Sequence, residues 1–305
     1  MTRRNQGSLK PKRNILYDKK AAPYIFVLPF IITFLVFFAY PMISTLIMSF
    51  QRIEGFNNVS FIGLGNYKRL FNEHFYNALK TSTVYTICVI CVLIPIPVIL
   101  ASFLNSRLLK FRNFFRSAIF VPSLVSVIIA GIAFRLMFSE LDTGFFNMLV
   151  IALGGEAVKW NMGFGTGMFM MVILATWRTT GVYVVYNLSA LQGVPEEIYE
   201  SASIDGANTI QKFFYITLPQ IMPIITYILT ITIIDGYRMF TESYVYWNEF
   251  NPGDLGLTIV RYIYQQGFQR NDLGMGSAIG VVLLLIILTI NLIQLKYFGL
   301  FEKKE

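Results

Sequence analysis

The sequence predicts an all-α membrane protein of six transmembrane helices, with a polar two-helix loop between spans 4 and 5. Three observations predict it: a composition too apolar for a soluble chain, six long stretches without a charged residue, and a polar segment, 194–219, between the fourth and fifth of them. Of 305 residues, 55% are hydrophobic and 14% charged, against roughly 25% charged in an average soluble domain. The uncharged stretches are 21–51, 81–106, 117–134, 160–177, 213–234 and 273–295, and the shortest has 18 residues. About 20 apolar residues of helix cross a ~30 Å hydrocarbon core, and a helix satisfies its own backbone polar groups there.

The basic segment 1–20, containing Arg3, Arg4, Lys10, Lys12, Arg13, Lys19 and Lys20, has no apolar periodicity. It reads as a cytoplasmic tail beside the anionic inner leaflet, followed by a membrane domain over 21–305. Span 1 is expected at Tyr24–Phe50. Its apolar run of 31 residues is too long for the ~7–15 residues of a secretory signal, so the sequence predicts that it is retained. Span 2, Ala78–Asn105, holds Cys88 and Cys91. With no second pair and no nearby His, they read as buried thiols rather than a redox or metal motif. His74 precedes this span as a lone, solvated residue. Span 3 is expected at Phe114–Phe138 and span 4 at Thr166–Leu191, with Arg178 interrupting the latter. The loop between them, 139–165, contains Gly154, Gly155, Gly163 and Gly165, which predicts a flexible connection and no nucleotide fingerprint. Span 5 is expected at Phe213–Phe240 and span 6 at Gly276–Phe298. The Gly276-x-x-x-Gly280 spacing in span 6 permits close helix packing, and Leu257–Phe268 before it is apolar enough for an interfacial helix. Pro29, Pro41, Pro95, Pro97, Pro219 and Pro223 can kink spans 1, 2 and 5.

Orientation follows from Lys and Arg placement. With the N-terminus inside, cytoplasmic segments hold 15 positive residues and outer loops six, so both termini are expected inside. The cytoplasmic set includes Arg107, Lys110, Arg112, Arg116, Lys212, Lys303 and Lys304. Topology thereby accounts for the net charge of +8, and nucleic acid need not be invoked.

Catalytic and metal motifs are missing. The dipeptide Gly-Lys is absent, so no phosphate-binding G-x-x-x-x-G-K-[ST] loop exists and any nucleotide chemistry belongs to another chain. Ionisable residues inside spans usually mark a solute or proton path. Asp235 and Arg238, i and i+3 in span 5, can pair on one helix face; near the outer interface they form either a self-neutralised pair or a polar ring at the mouth of a path. Span 4 carries a dense polar set, Trp177, Arg178, Thr179, Tyr183, Tyr186 and Asn187, and span 5 adds Tyr227 and Tyr237. One face of this set is expected to line the pathway, although bonding between helices would explain it equally.

The 4–5 loop has a legible local grammar. Pro195 suits a helix start, and Glu196 and Glu197 favour its positive dipole end. Asp205-Gly206 supplies a turn in which positive φ is free, and a second helix begins near Asn208. Two short helices with so little apolar surface should dock into a partner. The run Glu200-Ser201-Ala202, Gly206, Ile216, Leu218 and Pro219 resembles the signature of binding-protein-dependent ABC importer permeases, E-A-A, three residues, G, nine residues, I-x-L-P. Asp205 and Ala207 fit its extended D-G-A form, and Ser201 replaces the first Ala. Phe61-Ile-Gly63-Leu-Gly-Asn66-Tyr67, Phe115-Arg116 through Pro122, and Leu273-Gly274 through Ser277-Ala278 look like the carbohydrate branch, the maltose-, lactose- and arabinose-type sugar permeases. The resemblance implies a multi-pass cell-membrane subunit with no enzyme activity or cofactor of its own, ATP and Mg being bound by the partner ATPase. It further implies a second homologous permease, two ATPase copies, surrounding membrane lipid and an extracytoplasmic solute-binding protein as partners. By resemblance, segment 194–219 is a coupling-helix loop, in which Glu200, Ser201, Ala202, Asp205, Gly206 and Ala207 meet the ATPase. A non-sugar solute on the same machinery, or an ATP-independent transporter, are the alternatives.

Overall fold

The computed structural model describes residues 22–54, 58–106, 109–247 and 252–298. The basic tail 1–20, Arg107, Lys303 and Lys304 lie outside them. Helix α1 is Pro23–Met48, α2 Gly65–Leu70, α3 Glu73–Asn105, α4 Arg112–Leu124, α5 Val127–Met137 and α6 Phe145–Ala152. Helix α7 is Phe164–Gln192, α8 Glu196–Ile204, α9 residues 209–220, α10 Met222–Trp247, α11 Ile259–Tyr264 and α12 Leu273–Tyr297. Helices α1, α3, α7, α10 and α12 are each long and apolar enough to cross a bilayer. Among the described residues, the all-α reading holds apart from one antiparallel hairpin after α1, β1 Gln51–Glu54 with β2 Asn58–Phe61. The buried Asn66 amide fixes its base by donating to the carbonyls of Ser49 and Gln51 at 3.0 and 2.8 Å.

Span 3 is the first correction. In place of one helix over Phe114–Phe138, α4 and α5 meet at 94°. Pro122 lacks a donor and tightens the end of α4 into a 3-10 turn, and Val125 and Ser126 are extended. Span 5 is the second. The residues from Phe213 form short turns that break at Ile221, and the spanning helix begins at Met222 and reaches Trp247. Two π-turns have an identifiable origin. Leu35–Ala39 precedes Pro41 and Phe213–Thr217 precedes Pro219. A proline ring collides with the carbonyl four residues back, and a widened turn relieves that collision.

Three apolar clusters hold the bundle. One joins α3, α5, α7 and α10 through Tyr85, Phe134, Met170, Leu174, Ile228 and Trp247. A second joins α3, α10, α11 and α12 through Phe75, Ile233, Tyr262 and Ile279. The third gathers Val98, Leu104, Leu188 and Ile225 where α3, α7 and α10 meet near the 193–221 connection. Polar contacts supplement them: the Gln294 side chain accepts from Thr230 at 3.0 Å and donates to the Thr226 carbonyl at 3.3 Å, tying α12 to α10. Helix α1 meets the bundle through its last part, Tyr40–Met48, which packs on α12. None of its apolar window is buried, so that surface is left to lipid or another subunit.

Other local expectations need adjustment. Cys88 is half-buried and Cys91 exposed, because that face of α3 points away from the bundle; they are not the buried thiols expected. His74 is exposed but not solitary, since its Nδ1 lies 2.6 Å from Asp254. The loop 139–165 is pinned around Asn147, although Gly154 and Gly155 are exposed. The fully buried Asn147 accepts from the Val158 amide and the Trp160 indole, and donates to the Ser139, Leu141 and Val158 carbonyls. Gly276 does permit a close approach, but its neighbour is Gly267 beyond α11, not another spanning helix.

The tightest crossing between α4 and α7 is at Gly181, where a side chain would run into the Ile119 carbonyl and the Phe120 Cα. Backbone cannot yield there as a side-chain tip could. Gly181→Leu is therefore expected to cost about 3 kcal/mol, at the upper end of overpacking, and to lower the melting temperature of the purified chain. An unchanged melting temperature would mean that the two helices separate freely.

Candidate functional site

A cavity of about 350 Å³ lies between α3, α5, α7 and α10. Its wall follows helical periodicity on three sides. Tyr85, Val89 and Leu93 recur at i, i+4 and i+8 on α3, Arg178, Thr179 and Tyr183 come from α7, and Thr232, Asp235 and Gly236 from α10. The first residue of α5, Val127, closes the side where span 3 breaks. The fourth portion comes from an interruption of α10. Arg238 caps the first part of that helix and Thr241 opens the next, so Arg238, Phe240, Thr241 and Glu242 all reach the cavity.

Two guanidinium groups and two carboxylates therefore share one small space: Arg178, Arg238, Asp235 and Glu242. Asp235 and Arg238 do not make the contact ion pair expected of an i, i+3 spacing, because Arg238 stands outside regular helix. Asp235 also lies further inside than expected. The helix continues to Trp247, and the residues opposite Asp235 are mid-span in α3 and α7. Four charges that are formally balanced, together with the hydroxyls of Thr179, Thr232 and Tyr183, make a surface that both donates and accepts hydrogen bonds. Tyr183 and Thr232 share one bond of 3.1 Å.

Of the residues expected along a pathway, Arg178, Thr179, Tyr183, Asp235 and Arg238 line this cavity. Trp177 packs on Phe134 instead, with ring centroids 5.6 Å apart, and Tyr186 lies against Tyr227 at 6.0 Å. Asn187 is fully buried one turn past Tyr183, donating to its carbonyl. Tyr237 is buried in the α3–α12 cluster, its hydroxyl 3.1 Å from Thr83. Tyr85, Thr232, Phe240 and Glu242 were missed. Thr232 had a signal, being i−3 from Asp235; Glu242 had none, because the chain interruption that aims it inward breaks the helical register.

The connection from α7 to α10 forms the second site. Helix α8 ends in a complete Schellman cap: Ala207 N–H donates to the Ala202 carbonyl at 2.9 Å and Gly206 N–H to Ser203 at 3.1 Å, with Gly206 at φ 81°. Asn208 then starts α9 with a capping box, exchanging side-chain bonds with Gln211. Two bonds lock the helices together. Lys212 Nζ donates to Ser203 Oγ at 2.6 Å, and the Tyr199 hydroxyl meets Thr217 Oγ1 at 3.0 Å. Glu200, Ser201, Asp205 and Gly206 are exposed, and Ala202 and Ala207 half-buried. Around them Ile204, Ile210 and Tyr215 present bare apolar surface, beside a notch of about 350 Å³ lined by Asp205, Gly206, Gln211 and Tyr215. Such a rim has the composition of an interface.

Beyond the two sites, burial pushes the Arg261 guanidinium of α11 below its ordinary range. It stays charged, as arginine does in proteins, and donates to the Ser243 carbonyl at 3.0 Å, which fixes α11 to the end of α10.

Comparisons with known proteins agree on one family. A profile described as "Binding-protein-dependent transport system inner membrane component" matches residues 76–298. The chain is 54% identical over 290 residues to the Arabinooligosaccharides transport system permease protein AraP of Bacillus subtilis (strain 168), covering 95% of this chain and 92% of that one. It is 50% identical to the protein of the same description from Halalkalibacterium halodurans, over 94% of this chain and 91% of that one. Among solved structures, it superimposes with TM-score 0.80 and 25% identity on a chain of a bacterial ABC transporter involved in import of the acidic polysaccharide alginate, covering 93% of this chain and 96% of the other.

Proposed function

The chain belongs to the binding-protein-dependent transport system inner membrane component family, and from that premise we propose that it is the permease subunit of an ABC importer for neutral oligosaccharides. The observation that carries the solute class is the charge balance of the central cavity. Arg178 and Arg238 are offset by Asp235 and Glu242, so the wall offers hydrogen bonds to hydroxyl groups without attracting a net charge. A polyanionic chain such as a uronate polymer would gain no net attraction from this wall, since each guanidinium is matched by a carboxylate.

The coupling role of α8 and α9 follows from their rim and their attachments. The ATPase docks on Ile204, Ile210 and Tyr215, with Glu200 and Asp205 as polar contacts, and this end of the bundle faces the cytoplasm. Motion imposed on α8 passes through the Tyr199–Thr217 and Lys212–Ser203 bonds into α9. It then reaches α10 across the break at Ile221, between Pro219 and Pro223. Because α10 supplies Thr232, Asp235 and Glu242, the pull rearranges the cavity wall itself. A second permease completes the path opposite this wall, and an extracytoplasmic binding protein delivers the solute to it. The bare surface of α1 is left to lipid and to that second permease.

The test is uptake into proteoliposomes holding the complete importer and its binding protein. A panel would contain neutral oligosaccharides, oligouronates, amino acids and inorganic phosphate. ATP-dependent entry confined to the neutral sugars is expected. Entry of only a non-sugar solute, or uptake by this chain without ATP, would refute the assignment.

A further inference from the structure

The cavity continues outward as a row of aromatic rings that its lining alone does not reveal. Phe240, on the cavity wall, stacks on Tyr244 one turn further along α10, with centroids 5.2 Å apart and planes 23° apart. Phe240 also touches Tyr264 of α11 at 5.4 Å, and Tyr264 stacks on Phe268 at 5.8 Å and 27°. Both pairs are four residues apart across an irregularity: Phe240 sits just before the helix that opens at Thr241, and Phe268 lies in the π-turn Gln265–Gln269 that continues α11. Phe240, Tyr244 and Tyr264 are half-buried, and Phe268 at the outer end is 67% exposed. The buried Arg261 braces the side of the row, 5.9 Å from the centroid of the Tyr244 ring, which itself lies 5.5 Å from Tyr264.

We propose that the row Phe240–Tyr264–Phe268 is an outer subsite, a stacking track that receives the leading sugar rings and hands them to the ionic cavity. Apolar faces of sugar rings stack on aromatic side chains while their hydroxyls point to polar neighbours. Here the polar neighbours, Arg238 and Glu242, stand at the inner end where Phe240 lies. An aromatic belt that merely anchors the protein in lipid would have no reason to end inside a cavity. The track rests on the sugar reading and gives it a length dependence: a short sugar fits within the cavity, whereas a longer one must extend over the track.

The test uses the complete importer in proteoliposomes, with a ladder of neutral arabino-oligosaccharides from disaccharide to hexasaccharide. Phe268 is surface-exposed, so its replacement leaves the fold intact. Phe268→Ala is expected to slow uptake of the longest members roughly threefold to tenfold, the range of aromatic contacts, and of the disaccharide by less than about twofold. Phe268→Trp should restore long-chain uptake and Phe268→Leu should not. Equal loss at every length, or full rescue by leucine, would overturn the track and assign Phe268 to membrane anchoring. If the wild-type importer moved none of the ladder while a non-sugar solute entered on ATP, the sugar reading itself would fall, and the track with it.

Discussion

Replacing Gly206 with valine is expected to reduce both solute uptake and solute-stimulated ATP hydrolysis by at least about tenfold, while the protein remains folded in the membrane. Gly206 holds φ at 81°, and apart from its two chain neighbours nothing lies within 4 Å of where its Cβ would be. The penalty is therefore purely conformational. An L-residue in the left-handed region costs roughly 1–2 kcal/mol, and a β-branched one is a clear outlier there. The chain escapes that cost by abandoning the Schellman cap, which redirects α9 relative to α8 and spoils the surface offered to the ATPase. Two of the three apolar clusters lie away from this turn, and the third meets α9 only through Phe213 and Leu218, so the global fold does not hang on it. Gly206→Asn is the control, since asparagine enters the left-handed region readily, and it should retain most activity. Measuring uptake and hydrolysis in reconstituted importer decides the matter, and full activity in the valine variant would remove this turn from the coupling path.

Asp235→Asn is expected to cut sugar uptake by roughly tenfold or more, the scale of a hydrogen bond to a charged group, and to leave ATP hydrolysis in place. The substitution keeps the side chain's shape and removes one of two carboxylates facing Arg178 and Arg238. The cavity then bears a net positive charge and loses an acceptor for sugar hydroxyls. Because Asp235 is exposed to the cavity, solvent there softens the change, so the helix itself should survive. Uptake equal to wild type would exclude Asp235 from the path.

The elements that were legible in the sequence are those whose causes are local. Pro195, Asp205-Gly206 and Asn208 specify a helix start, a left-handed cap and a second start within fifteen residues, and each appears as expected. The spans were legible from charge-free length, but their interruptions were not. Pro122 marks where span 3 can break, but nothing in the composition announces a turn as sharp as 94° after Leu124. The cavity was half legible. Polarity picked out the helices that line it but not their azimuth. Polarity alone groups Asp235 with Tyr237, yet at about 100° per residue they point to nearly opposite sides of α10, and Tyr237 accordingly packs toward α12. Trp177 and Arg178 likewise diverge. Glu242 was invisible because it reaches the cavity only through the interruption after Tyr237.

In the proposed coupling, a cytoplasmic element receives force while a central wall holds the solute, and one measurement addresses that separation. Proteoliposomes containing the complete importer and its binding protein would be assayed for ATP hydrolysis and sugar uptake in the same sample. Wild type, Gly206→Val and Asp235→Asn would be compared. The prediction is that Gly206→Val does neither, while Asp235→Asn hydrolyses ATP with little sugar entering. Loss of both activities in both variants, or of uptake alone in both, would contradict it.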